Sequence, residues 1–577
     1  MKLISPTLFM ALIVLLLSSC SSPESEDLKF ENFAKSYLAQ LLERNPELAT
    51  LLGDHRFDRR MNDYSLAGIQ AELKAQQEAL DKARQIHVEK LSPTNQIDFK
   101  ILANNIEFMI FQIESVREYE WDTQFYNIGK AIYSLTAREF APLKDRLESV
   151  SARLKLIPGV LEQAKTNLKN PPRIFTETSI LQNKGNISLI QNELNTLLEQ
   201  VPELKAGFAP AQQEAVAALE AYGNWLEKDL LTRSNGDFRL GEEKFRKKLR
   251  FTLESDQTLE ELMQQAQREL VASQTALYET SLPLYQKFFP KLAASAAKGD
   301  RKKVIKAVLD KLAESRPNNE TIVGLAKQDL QSATEFVRQQ QLVSIPEEPV
   351  KIIVMPEFQR GVAVAYCDSP GPLEKNGETF YSISPTPADW PKSRVESFFR
   401  EYNNEMLQNL TVHEAMPGHY LQIAQSNKFR APTMIRAIFS SGPFVEGWAT
   451  YAEQLMAEKG YGGAEVKVQQ LKMRLRLIIN AIIDQKIHTA GMTEKEAMDL
   501  MMNEGFQEEG EAAGKWRRAC LSSTQLSTYF VGNVGVNEIR NAYEKKNGPI
   551  QDWKAFHDKM LSFGSPAPKY VKELMGL

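Results

Sequence analysis

The stretch His413-Glu414-Ala415-Met416-Pro417-Gly418-His419 constrains the local fold more tightly than any other part of the chain. It places two of the chain's six histidines around a glutamate. These are the residue types a zinc hydrolase needs: neutral imidazoles as ligands, and a carboxylate beside them to take a proton from the attacking water. In the common H-E-x-x-H pattern the histidines are four apart and sit about 40° apart around one helix. Here the second histidine is six positions on, about 240° around the same ideal helix, so one metal ion cannot meet both. The helix must break. Pro417 supplies a cause, because it lacks an amide donor and clashes with the carbonyl of His413, four residues earlier. Gly418 tolerates whatever backbone angles the break requires. Pro417-Gly418 therefore reads as a two-residue insertion that swings His419 back toward His413. The alternative is a helix that stops at Pro-Gly with two unrelated histidines beside it.

The chain has 577 residues, enough for a large core and two or more lobes. Lys and Arg (70) fall below Asp and Glu (74), so nothing in the composition asks for a nucleic-acid partner, whose first requirement is a basic patch or stripe. Residues 1–19 read as a signal peptide: Lys2, an apolar run from Leu8 to Leu17, then small residues. The apolar run is too short for a membrane span. Leu17-Ser18-Ser19-Cys20 resembles a bacterial lipobox, which implies lipidation of Cys20, a chain anchored in the cell envelope and the membrane as a partner. Ser21 follows rather than Asp, so resemblance to the Gram-negative sorting rule implies the outer membrane. The polar residues after Cys20 make 20–29 a tether. An ordinary secretory signal with a chance cysteine is the alternative. Cys367 and Cys520 then remain, too few for a disulfide framework or a cysteine zinc site; they either pair or stay as buried thiols.

Most of the rest reads as helix. Phe30, Phe33, Tyr37, Leu38, Leu41 and Leu42 recur at three- and four-residue spacing, and similar patterns run through 143–168, 189–204, 259–282 and 304–312. Prolines near 158, 171–172, 202 and 210 predict breaks or kinks. Between 343 and 391 the texture changes to short β-prone runs, 350–355, 362–366 and 379–383, divided by Pro and Gly. The expectation is a mainly α, multi-helix, channel-containing fold with a small sheet over about 345–390 beside the histidine motif. Residues 30–342 form a helical region packed as one unit with 343–577.

Catalytic zinc usually takes three protein ligands, so one is missing from the heptapeptide. Glu446 is the best candidate, opening Glu446-Gly447-Trp448-Ala449-Thr450-Tyr451-Ala452-Glu453 on a helix. The i, i+7 spacing puts Glu453 on the same face, where it orients a ligand imidazole from behind. Downstream, Lys472, Arg476, Asn480, Asp484 and His488 follow at four-residue steps and form one slowly winding polar stripe. The stripe is either the wet side of a surface helix or the lining of a channel. In the second case Asp484 supports His488, which acts as transition-state donor or alternate ligand. Tyr529 can donate its hydroxyl to an oxyanion, or is an ordinary core tyrosine.

His-Glu-x-x-Pro-Gly-His at 413–419 with Gln422, then Glu446-Gly447-Trp448-Ala449, resemble the bacterial domain-of-unknown-function family 885, many of whose members are lipoproteins. Asn45 to Thr50, Gly53-Asp54-His55, Asp484 to His488 and Gln525 to Gly532 fit the same pattern, so the resemblance runs from about residue 30 to the carboxyl end. This chain has Ser523-Thr524-Gln525 where the pattern has Pro-Gly-Gln. The motif order is similar to that of the helical gluzincin peptidases. The resemblance implies His413, His419 and Glu446 as zinc ligands, Glu414 as general base, and a short peptide substrate entering an enclosed channel. A hydrolase of another amide or ester bond, or a non-catalytic peptide-binding envelope lipoprotein, are the rival expectations.

Overall fold

The computed structural model describes residues 25–291, 300–355, 365–374, 377–387 and 390–577. The signal peptide and Cys20 lie outside the described residues. So do residues 362–364 of the second β-prone run.

The described chain is mainly helical, as the periodicities require. The first helix, Glu26–Arg44, begins inside the stretch read as a tether. Ser25 caps it by accepting the Leu28 amide, and Glu26 and Asp27 lie in its first turn, where acidic side chains favour the positive end of the helix dipole. The pattern over 143–168 resolves into two helices, Leu143–Leu154 and Ile157–Asn167, with Pro158 in the first turn of the second. Pro210 lies inside the helix Lys205–Lys228 and does not break it. The run from Leu259 extends to Phe288, started by a reciprocal capping box between Thr258 and Glu261.

The sheet has three strands, β1 (Val350–Val354), β2 (Ala365–Asp368) and β3 (Thr379–Ile383), in the order β1-β3-β2. β1 and β3 are parallel, with Val350 opposite Thr379. β2 runs antiparallel at the edge, with Cys367 opposite Tyr381. The buried Tyr381 hydroxyl meets Thr411 Oγ1 at 3.2 Å, which fixes the sheet against the helix carrying His413.

Several apolar cores cross the boundary between 342 and 343. Phe30, Leu38 and Ile101 pack with Ile435 and Tyr570; Phe245 and Leu262 pack with Ile478 and Phe530; Leu277 and Val308 pack with Val468 and Leu475. The two halves thus share their hydrophobic interior. At its centre lies the long helix Gly463–Ala490, buried along most of its length.

Candidate metal centre

The helix Asn404–Glu414 starts at Asn403, whose side chain accepts the Met406 amide, and every residue of its last turn is buried. It ends as Pro417 requires. Ala415 leaves helical geometry, the Gly418 amide turns back to the Val412 carbonyl at 2.9 Å, and a new helix starts at His419. The peptide between Met416 and Pro417 is cis. At Gly418 the backbone also leaves no room for a side chain: a Cβ there would stand 1.8 Å from the His413 carbonyl oxygen. Close approach of two backbone segments demands glycine. Trp448 holds the break from outside by donating its indole N–H to the Pro417 carbonyl at 2.8 Å.

The insertion brings the two imidazoles together, with ring centres 4.7 Å apart and planes nearly perpendicular. Glu446 arrives on the helix Gly442–Glu458, its Oε2 3.6 Å from His413 Nε2 and 3.4 Å from His419 Nε2. Those gaps exceed good hydrogen bonds, and the buried Oε2 has no hydrogen-bond partner. They match the ligand spacing around a tetrahedral zinc, roughly 3.3–3.6 Å for bonds of about 2.0–2.2 Å. Among the described residues His413, His419 and Glu446 are the group whose ligand atoms converge in this way, all within 4.8 Å of one another. The donor set fits a zinc ion.

Glu453, two turns after Glu446, accepts from His413 Nδ1 at 2.7 Å and from the Asn409 amide at 2.6 Å. One helix face therefore addresses both ring nitrogens of His413, as the i, i+7 spacing predicts. Burial opposes a charged His413, but the Glu446 and Glu453 carboxylates outweigh it and raise its pKa well above the ordinary value. For Glu446 burial acts in the opposite sense and the two histidines prevail, lowering its pKa. Glu414 accepts the backbone N–H of Cys367 at 3.0 Å, so edge strand β2 orients the carboxylate next to the first ligand. The sheet is both wall and part of the site.

A cavity opens on His413, Glu414 and Glu453. Tyr529 lines it. Its hydroxyl accepts from Arg518 Nη2 at 2.9 Å, which leaves its own proton to donate. Burial and the Glu446 charge push the phenol up to about 12, so it stays protonated at neutral pH. Gly447 and Gly532 explain how Tyr529 comes so near: a Cβ on Gly447 would lie 2.4 Å from the Gly532 backbone, so the two helices touch there. In place of the expected Pro-Gly-Gln, Thr524 adopts φ +66°, a left-handed conformation that favours glycine. Its amide donates to Asp484 Oδ1 at 3.0 Å, and its hydroxyl meets that of Thr252 at 2.9 Å.

Two expectations need correction. His488 is not brought to the cavity. It is stacked on Phe245, and its Nε2 donates to the carbonyls of Ala519 and Ser522 at 3.1 and 2.9 Å, closing the end of the helix Glu509–Leu521. Burial lowers its pKa, so it serves as a neutral structural donor. Asp484 supports no imidazole ligand. It accepts the Thr524 and Ser527 amides and the Ser527 hydroxyl, and so fixes the start of the helix that carries Tyr529. The polar stripe is buried rather than wet, but only Arg476 and Asn480 of its members line the cavity. Cys367 and Cys520 are free thiols.

The sequence reading missed Asn409, Lys515, Arg518 and the Cys367 amide. Asn409 was recoverable, because it precedes His413 by four on the same helix. A backbone N–H leaves no mark in a sequence.

A family model described as a bacterial protein of unknown function, DUF885, matches residues 46–575. The chain belongs to the DUF885 family. A candidate lipoprotein of unknown function from Shewanella oneidensis has the same fold, with a TM-score of 0.78 at 33% identity over 95% of this chain and 100% of its own. A candidate lipoprotein from Colwellia psychrerythraea gives 0.76 at 16% identity over 96% and 99%, a likeness of fold alone. No curated protein matches the sequence.

Proposed function

We propose that this DUF885 protein is a zinc-dependent hydrolase of short peptides, anchored in the bacterial envelope through lipid on Cys20, most simply in the outer membrane. The observation that carries the reading is the convergence of His413 Nε2, His419 Nε2 and Glu446 Oε2 beside a carboxylate that is not itself a ligand. Zinc held by these three residues would supply the Lewis acidity that lowers the pKa of water toward neutrality. Glu414 accepts the proton of the attacking water and returns it to the leaving amine. The Cys367 amide holds one oxygen of the Glu414 carboxylate, and Glu414 lines the cavity. Tyr529, backed by Arg518, donates to the oxyanion as it develops. The cavity's walls favour a flexible chain end over a folded protein. The two relatives described as candidate lipoproteins support the anchor.

The test pairs zinc content with turnover on a peptide library. Glu414→Gln keeps the size of the base but cannot take a proton, so it should hold zinc normally and lose roughly 10² to 10⁴ in rate. Glu446→Gln should lose the metal itself. A Glu414→Gln protein that still cleaves a wild-type substrate overturns the mechanism, and cleavage of esters or non-peptide amides alone moves the activity to another bond.

A further inference from the structure

One wall of the cavity carries charge that the hydrolytic chemistry does not use. Lys515 and Arg518 stand three residues apart on the helix Glu509–Leu521, neighbours on one face, and both line the cavity together with Arg476. Glu401 and Glu511 line the same cavity; Glu401 is shared between Lys472, at 2.9 Å, and Arg476. Glu511 is shared between Arg476 at 3.5 Å and Lys515 at 3.7 Å, and also accepts the Tyr402 hydroxyl. Three cations thus share two carboxylates, and Arg518 adds a fourth positive charge. Among the described residues no carboxylate comes within 4 Å of Arg518, which donates to neutral groups: Gln525 Oε1 and the Tyr529 hydroxyl, both at 2.9 Å. Lys515 has only a tenth of its side chain exposed. Burial, reinforced by Arg518 and Arg476, lowers its pKa to about 8 against the pull of Glu511. The Glu446 carboxylate also attracts Lys515 and Arg518, but among the described residues it makes no ion pair with either. Buried positive charge of this kind is costly until an anion meets it.

We infer that Lys515 and Arg518 bind a carboxylate of the substrate, so that the peptides cleaved carry a negative charge within one or two residues of the scissile bond. The inference rests on the peptide-hydrolase reading and names its substrate class. The spacing follows from the wall itself. Arg518 touches the hydroxyl proposed to meet the oxyanion, and Lys515 lies about 5–6 Å further along the helix face. An extended peptide advances about 3.3 Å per residue. The carboxylate is either the free carboxyl terminus or an acidic side chain.

Binding without turnover tests it. Full-length Glu414→Gln protein in detergent is titrated calorimetrically with acetyl-Ala-Ala-Ala as the free acid, with its amide, and with acetyl-Ala-Ala-Asp amide. At least one of the two anionic peptides should bind tenfold or more tightly than the neutral amide. Which one does assigns the carboxylate to the chain end or to the side chain. Lys515→Met should bring that ratio close to one, and Lys515→Arg should preserve it. Equal binding of all three peptides overturns the inference, as does a ratio that survives both Lys515→Met and Arg518→Gln. An anionic preference in a wild-type protein that cleaves no peptide refutes the hydrolase reading alone. Cleavage without the preference refutes this inference alone.

Discussion

Glu453 offers a direct test of whether the buried carboxylate cluster serves a metal. Its side chain is 2% exposed, and its two oxygens are divided between His413 Nδ1 at 2.7 Å and the Asn409 amide at 2.6 Å. Glu453→Gln keeps the volume and most of the hydrogen bonding. The amide oxygen accepts from His413, and Asn409 can turn its own oxygen toward the new amide group. What is lost is the negative charge behind the imidazole, which fixes its tautomer and raises its basicity as a ligand. Partners of this kind typically contribute 10- to 100-fold in metal affinity, about 1.4–2.7 kcal/mol. The assay is the zinc dissociation constant by chelator competition at fixed pH, with the melting temperature of the metal-free protein as a control for folding. Zinc affinity equal to wild type in a folded variant refutes the argument that Glu453 supports a metal ligand.

Other residues test other parts of the site. Gly418→Ala should abolish zinc binding while leaving far-ultraviolet dichroism close to wild type, because its Cβ would sit 1.8 Å from the His413 carbonyl and must push apart the segments that carry the two histidines; full zinc occupancy in the variant would remove the steric reason for glycine. His488→Leu should lower stability by roughly 2 kcal/mol, from one buried and one partly buried carbonyl left without this donor. Its kcat/KM on a peptide should stay within a few-fold of wild type, and a loss of 10² or more in a folded variant would return His488 to the catalytic residues. Cys20→Ala should release the protein from membranes into the soluble fraction with its zinc content unchanged; a variant that still fractionates with membranes has another anchor.

The sequence by itself determined the ingredients of the site and the local rules that shape it. Periodicity alone required a mainly helical protein with a short β-rich interruption. Pro417 alone required a helix to end between the histidines, and the i, i+7 interval alone put Glu446 and Glu453 on one face. These are properties of neighbours in the chain, set by helix geometry and by the lack of a proline amide. The rest depended on which distant segments touch. Asp484 and His488 read as an i, i+4 pair near the chemistry, yet each is used by a different helix end, because buried carbonyls and amides there needed partners. Gly418 read as a residue free in its backbone angles, and only the fold shows the carbonyl across the turn that leaves no room for a Cβ. Lys515 and Arg518 sit on a helix unremarkable in sequence, and only its packing against the helices Lys392–Glu401, Gly463–Ala490 and Glu494–Asn503 turns them toward the cavity. Glu414 finds its orienting donor in a strand 47 positions earlier. Pairings of this kind follow from the exclusion of water around a shared core, which couples residues by distance in space rather than by interval along the chain.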